Sequence, residues 1–337
     1  MGEATKIQWT DYTFNPWIGC AKVHTGCLHC YAEADMGIRR KRVVWGDGVN
    51  GTRSRTADDY WKQPYKWNRE AEAAGVRAKV FCSSLADIFE DRNELSAWRK
   101  DLFKVIDDTP DLDWQLLTKR PENILKFWPS RDDYQYVAEA GALNEFPMHR
   151  RDNVWLGTSV SNQVTANKLV PDLLKCRDLC PILFLSCEPL IGRFSIETWL
   201  PSEDGFVAYT GNGPRHVLDG AAAIDWVIVG GESGPKARMC DPDWINRIVE
   251  QCFFSNVPVF VKQMGQNCVT RNDSFGCEEE FPGNFPEESN VEHDIYGFRE
   301  EDQGADCRVH FSDKKGGDPD EWPPALRVRQ FPILKVW

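Results

Sequence analysis

Three cysteines lie within eleven residues near the start of the chain: Cys20, Cys27 and Cys30. Cysteine thiolates bind soft metal ions and iron–sulfur clusters. A structural zinc ion takes four protein ligands, and most iron–sulfur clusters are held by four cysteines. A cluster held by three cysteines leaves one iron free to bind a substrate or a cofactor. The trio therefore predicts an open metal centre that takes part in chemistry.

A zinc ion bound by the three cysteines and by His24 or His29 is the alternative, because its ligand count also reaches four. The N-terminus lacks the apolar segment of a secretory signal, so we expect a cytoplasmic protein. In that reducing compartment the twelve cysteines do not predict a disulfide framework. We expect most of the other nine to be small buried apolar residues.

The composition is that of a globular protein of one large or two ordinary domains, with 337 residues, 42% hydrophobic and 27% charged. No apolar run is long enough to span a membrane. The net charge of −12 argues against a protein that coats nucleic acid. However, the stretch from Arg39 to Lys79 is basic and contains five interleaved aromatic residues. Phosphate and base binding, or ordinary surface charge and packing, both remain open for it.

Short apolar runs recur along the chain, and several are followed by a plausible helix. Runs without polar alternation are typical of parallel strands that are buried on both faces. The pattern predicts an α/β protein with a full or partial (β/α) TIM-type barrel of about six or seven parallel strands. We place this barrel in residues 1–265 and expect residues 266–337 to form an irregular C-terminal extension that packs on it. The runs are 79–84, 114–120, 154–159, 182–188, 226–232 and 257–262, and the clearest helices are 93–106, 162–175 and 241–251.

Polar residues follow these apolar runs, at the carboxyl end of each predicted strand. Active sites of α/β barrels are built at that edge. One such residue alone is explained as a helix cap or a turn residue, but the repetition predicts one shared site. Its candidates are Ser83, Ser84, Asp87, Thr118, Lys119, Arg120, Ser159, Asn162, Glu188, Glu232 and Lys262.

A three-cysteine loop after the first strand of a parallel barrel resembles the radical S-adenosylmethionine (SAM) superfamily. That resemblance implies a [4Fe–4S] cluster on the three cysteines, with SAM bound to the fourth iron. The gaps here are six and two residues, whereas three and two are usual in the superfamily. Nearly the whole chain also resembles a phage-associated family of three-cysteine proteins. The strings that carry this resemblance include 13–20, 30–33, 116–121, 154–160, 186–190, 230–234, 262–265, 314–319 and 326–332.

The resemblance implies roles for the candidate residues. Cys20, Cys27 and Cys30 would bind the cluster, and His29 would lie near the adenine of SAM. The methionine amino group would be bound by Ser83, Ser84 or Asp87, and the methionine carboxylate or the ribose by Ser159 and Asn162. Lys119 and Arg120 would neutralise a carboxylate or a substrate phosphate. Contacts to the substrate or to SAM hydroxyls would come from Glu188, Glu232 and Lys262.

The predicted function is a radical SAM enzyme of the isomerase or lyase class that reductively cleaves SAM and abstracts hydrogen from a nucleobase-type substrate. One form is isomerisation of an amino-acid adduct of thymine during hypermodification of phage DNA. The alternatives are DNA repair like that of spore photoproduct lyase, a radical enzyme on a peptide or small metabolite, and a non-catalytic zinc-binding protein. The expected partners are a nucleic acid or modified nucleotide and an electron donor such as flavodoxin or ferredoxin, with no membrane.

Overall fold

The computed structural model describes residues 5–129, 149–201, 207–210, 213–216, 223–270 and 307–333. Its main element is a seven-stranded parallel sheet in which the strands follow one another in chain order. The predicted α/β class and parallel strands are confirmed. The strands are β1 Tyr12–Thr13, β2 Ala78–Cys82, β3 Leu112–Thr118, β4 Val154–Ser159, β5 Ile182–Cys187, β6 Trp226–Gly230 and β7 Val259–Gln263.

Helices connect most of the consecutive strands and cover the outer face of the sheet; among the described residues, the connection from β5 to β6 contains no α-helix. The helices are α1 Asp58–Trp61, α2 Gln63–Ala74, α3 Leu95–Asp107, α4 Ile124–Phe127, α5 Gln163–Leu174 and α6 Pro242–Phe254. Local sequence explains their ends. Helix α2 stops at Gly75, whose φ of 64° is the left-handed conformation that glycine adopts readily. Helix α6 starts after Asp241, whose side chain accepts a hydrogen bond from the N–H of Asp243, with Pro242 in the first turn.

Shorter elements lie outside the main sheet and its helices. A π-helical turn spans Glu33–Arg39, and 3₁₀ turns span Thr25–Cys27, Gly48–Asn50, Pro121–Asn123, Arg177–Leu179, Glu197–Trp199, Pro319–Glu321 and Pro324–Leu326. Three two-stranded antiparallel pairs join Trp17–Ile18 to Ser54–Arg55, Val207–Thr210 to Gly213–His216, and Val269–Thr270 to Cys307–Arg308. No helix among the described residues is both long and apolar enough to cross a membrane.

The inner face of the sheet carries an aromatic core. Alternate residues of a strand point to the same face, and the inward set includes Phe81, Trp155, Phe184 and Trp226. Trp9, which precedes β1, packs against Phe81 and Trp226 with ring centroids 4.6 and 6.1 Å away. The other face packs with the helices in a separate, larger apolar cluster. The sheet is therefore curled around a filled interior.

The sheet is a half-barrel, because β1 and β7 are its two edge strands. A C-terminal segment lies along the free edge of β7. The N–H of Val261 donates to the carbonyl of Val328 at 2.8 Å, and that of Gln330 donates to the carbonyl of Val259 at 2.9 Å. Arg329 also donates to the side chain of Gln8 at 3.0 Å. This segment thus links the β7 edge to the N-terminal part of the chain.

The basic stretch 39–79 turns out to be largely structural. Trp61 and Trp67 are buried in the outer core, and the ring of Trp67 stacks on Tyr12 at 4.5 Å. Most of the basic side chains are held in ion pairs, including Arg53 with Glu90, Arg77 with Asp113 and Lys79 with Asp11. Packing and surface charge account for the stretch. The acidic stretch from Asp273 to Asp302 lies outside the described residues.

Close packing across the inner face predicts that Gly157→Ala destabilises the fold. A methyl group at this position would overlap the ring of Phe184 on the neighbouring strand. Overpacking of a core costs about 1–3 kcal/mol, which urea unfolding would detect as a lower midpoint. The matched control is Gly192→Ala, because an added Cβ at Gly192 meets nothing within 4 Å. Equal midpoints for the two variants would contradict the packing argument.

Candidate active site

A cavity of ≈ 1110 Å³ opens at the carboxyl edge of the sheet. Polar and thiol side chains from most of the strand ends meet there. This edge is the one that the sequence predicts for the site. The predicted residues that line the cavity are Cys20, Cys27, His29, Cys30, Ser83, Ser84, Asp87, Thr118, Lys119, Ser159, Glu188, Glu232 and Lys262.

Their positions at the strand ends explain why these side chains meet. Lys262 lies within β7, two positions beyond the inward Phe260, and Ser83 and Lys119 come directly after the last residues of β2 and β3. Side chains at i and i+2 leave a strand on the same side. Each strand therefore carries apolar residues in the barrel interior and polar residues at its carboxyl end. Phe81 and Leu117 line the cavity themselves.

Two predicted residues do not line the cavity. Asn162 caps helix α5, where its side chain accepts a hydrogen bond from the N–H of Thr165 at 3.0 Å. Arg120 is buried beside the cavity instead, with Nη1 3.6 Å from Sγ of Cys20 and Nη2 donating to the carbonyl of Ala21 at 3.0 Å. The cap explanation thus accounts for Asn162, while Arg120 contacts the first cysteine from outside the cavity.

The three cysteines lie on one irregular loop, residues 20–30, which we call the cysteine loop. Its six-residue first gap contains the 3₁₀ turn Thr25–Cys27. Nδ1 of His24 accepts a hydrogen bond from the N–H of Gly26 at 3.0 Å, which caps this turn. Burial, together with the charges of Lys119, Arg120 and Lys168, lowers the pKa of His24 to about 4, so the ring is neutral at pH 7. The wide gap is therefore a folded turn.

Three cationic side chains hold the cysteine loop by its backbone carbonyls. Arg120 donates to the carbonyl of Ala21 at 3.0 Å. Arg238 donates to that of Thr25 at 2.9 Å, and Lys22 donates to that of Leu28 at 3.1 Å. The carbonyl of Thr25 also accepts from the N–H of Leu28 at 3.1 Å, within the 3₁₀ turn. The charge-assisted bonds tie the loop to its surroundings and so help to fix the positions of the thiols.

Each of these cations is held by a carboxylate. Arg120 pairs with Asp87 at 3.0 Å, Arg238 with Glu232 at 2.7 Å, and Lys22 with Glu33 at 2.6 Å. Asp87 and Glu232 are 5% and 6% exposed. A buried carboxylate of this kind is tolerated only when it is paired and hydrogen-bonded. The three pairs form a clamp around the cysteine loop.

The carboxylate of Asp87 is fully engaged. One oxygen accepts from the N–H of Phe89 at 3.0 Å and from the hydroxyl of Thr118 at 2.7 Å. The other accepts from the N–H of Lys119 and from Arg120, both at 3.0 Å. Burial raises the pKa of Asp87, but Arg120 and these hydrogen bonds outweigh burial, so its pKa lies below the ordinary value. These contacts give Asp87 a positioning role.

Glu232 is engaged in the same way. It accepts from the backbone and guanidinium of Arg238 and lies 3.3 Å from Nδ1 of His29. The two hydrogen bonds and the charge of Arg238 lower the pKa of Glu232 against the effect of burial. His29 is thus held at the cavity by a carboxylate from the end of β6. Two further charged residues of the cavity, Glu188 and Lys262, form an ion pair with each other.

Burial affects the pKa of two cysteine thiols of this loop. Burial and then the charge of Asp87 raise the pKa of Cys20 to about 12, while Arg120 opposes this rise. Burial also raises the pKa of Cys30, against the opposing charge of Lys119. Bound metal ionises such thiols, because its positive charge favours the thiolate. Cationic groups near two of the three cysteines are also suited to the negative charge of a thiolate-bound cluster.

The donor set fits an iron–sulfur cluster. Within the described part of the chain, no three His, Cys, Asp or Glu side chains are grouped to hold a single metal ion. A [4Fe–4S] cluster would take each cysteine on a different iron, so its ligands need not meet at one metal ion. All three thiols line the same cavity as Ser83, Ser84, Lys119 and Ser159.

Several site residues were not predicted from the sequence. The side-chain oxygen of Asn15 accepts from the N–H groups of Ser84 and Leu85 at 2.9 and 2.8 Å, and so shapes the turn after β2. Arg238 follows Glu232 by six residues, and Lys314 and Lys315 come from the C-terminal extension. Asn15, Lys314 and Lys315 lie inside strings that carry the family resemblance, which was the available signal for them. No regular pattern in the sequence identifies Arg238.

Comparisons with known proteins identify a family and a distant structural likeness. The model of the family described as "Protein of unknown function (DUF5131)" matches residues 4–311. No curated protein matches the chain. Solved structures that match include a spore photoproduct lyase mutant with bound AdoMet and dinucleoside spore photoproduct, at 15% identity and a TM-score of 0.36, covering 57% of this chain and 49% of that one.

A second lyase mutant, with dinucleoside spore photoproduct, matches at 15% identity and a TM-score of 0.37, covering 58% of this chain and 49% of that one. The chain therefore spans about half the length of the lyase chains that it matches.

The clamp predicts that Glu232→Gln loosens the cysteine loop. Loss of the charge leaves Arg238 without its partner, and breaking a buried ion pair costs on the order of 3 kcal/mol. We expect a lower free energy of unfolding and faster amide hydrogen exchange in residues 20–30. The control is Asp152→Asn, which breaks the exposed ion pair with Arg150 and costs less than about 1 kcal/mol. Unchanged exchange in the Glu232 variant would disprove the clamp.

The lowered pKa of Asp87 predicts a pH-dependent contribution to stability. A carboxylate whose pKa is lower in the folded state stabilises the fold fully above its ordinary value of 3.8, and this stabilisation disappears as the pH falls through the folded-state pKa. The stability difference between the wild type and Asp87→Asn should therefore be constant above about pH 5 and shrink at lower pH. Urea unfolding at a series of pH values measures it. A difference that does not vary with pH would contradict the argument.

Proposed function

The chain belongs to this family of unknown function, and from the geometry of its cavity we propose that it is a radical SAM enzyme. The observation that carries the proposal is the meeting of three thiols with the polar carboxyl ends of a parallel half-barrel on one cavity. Cys20, Cys27 and Cys30 would hold a [4Fe–4S] cluster through three irons. A zinc site alone would not require the polar strand ends around it.

The chemistry supplied when both groups are bound is reductive cleavage of SAM, followed by removal of a hydrogen atom from the substrate. The chain itself positions the reacting groups and excludes water. Arg120, Arg238 and Lys22 fix the cysteine loop. Phe81 and Leu117 line the cavity with apolar surface that would disfavour bound water.

Ligand contacts are assigned to side chains that keep free hydrogen-bonding capacity. The hydroxyl of Ser84 lies 3.2 Å from Asn15, which orients it at the cavity, and we assign it to the amino group of SAM together with Ser83. Lys119 donates to the hydroxyl of Ser159 at 3.3 Å. This pair suits a carboxylate or a ribose hydroxyl, because it offers a positive charge and a hydroxyl side by side.

We propose that Glu188 and Lys262 contact the substrate and that His29 lies near the adenine, as the superfamily resemblance implies. The proposed substrate is a nucleobase, and the reaction is of the isomerase or lyase class. Isomerisation of an amino-acid adduct of thymine in phage DNA is the specific form that the resemblance to a phage-associated family supports. Repair of a DNA lesion is the second form.

The proposal requires a one-electron donor and a reducing compartment. A flavodoxin or a ferredoxin is the expected class of donor. Ten cysteines of the described residues are free thiols, which is usual in the cytoplasm and unusual in an oxidising compartment. We therefore propose that the protein acts in the cytoplasm, or in that of the host if a phage encodes it.

Anaerobic reconstitution with iron and sulfide tests the proposal. We expect a brown protein with about four irons per chain that releases 5′-deoxyadenosine from SAM when dithionite is added. Iron is measured colorimetrically and 5′-deoxyadenosine by chromatography. A colourless protein that retains one zinc per chain would overturn the proposal in favour of a zinc-binding protein.

Cysteine variants refine the same test. Cys20→Ala, Cys27→Ala and Cys30→Ala should each lose most of the iron and reduce 5′-deoxyadenosine below detection, because three thiolates are the minimum set for the cluster. The matched control is Cys176→Ala, since this buried cysteine belongs to the outer apolar core. Full cluster content in any of the three variants would remove that residue from the proposed ligand set.

A further inference from the structure

A turn from the C-terminal part of the chain forms one wall of the cavity. Residues 313–317 are held against the end of β7, where the N–H groups of Met264 and Gly265 donate to the carbonyls of Gly316 and Lys315 at 2.9 and 3.0 Å. The indole of the buried Trp322 also donates to the carbonyl of Gly316 at 3.0 Å. These bonds fix the turn at the carboxyl edge of the sheet.

Glycine is required at the centre of this turn. Gly316 has a φ of +59°, and an added Cβ would lie 2.7 Å from the ring of Phe311 and 3.1 Å from the Cβ of Met264. The side chain of Asp313 closes the turn by accepting from the N–H of Gly317 at 2.8 Å. The turn therefore has a defined backbone conformation, which fixes the Cα positions from which two of its exposed side chains extend.

Those two side chains are Lys314 and Lys315, and both line the cavity together with Lys6 from the N-terminal segment. Within the described part of the chain, none of the three forms an ion pair. Two other lysines of the same cavity do: Lys22 with Glu33 and Lys262 with Glu188. Asp313 is the one carboxylate of the turn that lines the cavity, and it accepts from the N–H of Gly317 without an ion pair to these lysines among the described residues. The three lysines therefore leave an excess of positive charge at this part of the cavity.

This charge is unusual for its surroundings, because the whole chain has a net charge of −12. Lysine ammonium groups attract phosphate oxygens as point charges. A cluster of one sign beside a cavity raises the local concentration of oppositely charged ligands. SAM has a positive sulfonium, no phosphate and a single carboxylate, which the pair Lys119 and Ser159 is suited to bind. Three further lysines are therefore not explained by SAM. They are suited to an anionic substrate.

We propose that Lys6, Lys314 and Lys315 form a phosphate-binding rim, and that the substrate of this cavity is a phosphate-bearing nucleotide or polynucleotide. The inference rests on the proposed function, since it takes the cavity as the active site. It adds the group that is recognised and the residues that recognise it. A nucleoside without phosphate would lack the main charged contact.

Fluorescence anisotropy with the full-length protein tests the rim without iron reduction or SAM cleavage. The probe is a labelled single-stranded oligonucleotide, and thymidine 5′-monophosphate and thymidine are competitors. We expect the monophosphate to compete at least about tenfold better than thymidine, because it adds a charge-assisted contact that thymidine lacks. Equal competition by thymidine would overturn the proposal. Competition by the monophosphate as strong as that of unlabelled oligonucleotide would assign the site to free nucleotides, and weaker competition would assign it to polynucleotides.

The double variant Lys314→Gln/Lys315→Gln should weaken oligonucleotide binding. It should also reduce the slope of log affinity against log salt by about 1.4, at about 0.7 per phosphate contact on a single strand. The charge-matched control is Lys104→Gln/Lys175→Gln, at the C-terminal ends of α3 and α5, on the opposite edge of the sheet. Equal effects of the two double variants would overturn the rim. Loss of 5′-deoxyadenosine formation with this rim-dependent binding intact would count against the proposed function alone.

Discussion

The site depends on one constraint, which is that an irregular loop must hold three thiols in fixed positions. Residues 20–30 contain a single 3₁₀ turn, so most of their carbonyls have no helical or sheet partner. Leaving a buried carbonyl unpaired costs about 1–3 kcal/mol. Arg120 removes this cost at the buried Ala21, and Arg238 adds a charge-assisted bond at the exposed Thr25. Each arginine is itself anchored by a buried carboxylate. Ion pairs therefore position the loop that carries the thiols.

The anchors connect the cysteine loop to the sheet. Asp87 lies after β2, Arg120 after β3 and Glu232 after β6. Parallel strands bring their carboxyl ends to one edge, so residues more than 200 positions apart in the chain, such as His29 and Glu232, come into contact. The inward aromatic core sets the curl of the sheet beneath them. Packing in the interior thus sets the shape of the sheet, and ion pairs at its carboxyl edge connect the cysteine loop to that sheet.

The sequence was sufficient to predict the strands, because both faces of the sheet are buried and the strands are continuous apolar runs. It also predicted most of the cavity, since polar residues follow the apolar runs at the carboxyl ends of the strands, as Ser83 follows the run that ends at Cys82. It was insufficient where contacts depend on irregular backbone. Asn162 is a residue type that can bind a ligand, but in the structure it caps a helix. Arg238 gives no periodic signal, and whether the barrel closes depends on a first strand of only two residues.

The distribution of charged residues in the sequence and their distribution in the folded structure lead to different conclusions about ligand binding. The stretch 39–79 is the most basic by composition, yet Arg53, Arg77 and Lys79 are neutralised by carboxylates from other segments. Lys314 and Lys315 follow the acidic stretch in sequence, yet a fixed turn places them at the cavity without a partner among the described residues. The field that a ligand meets is set by the charges that remain uncompensated after folding. Electrostatic recognition in this protein is therefore a property of the C-terminal turn and its contact with β7.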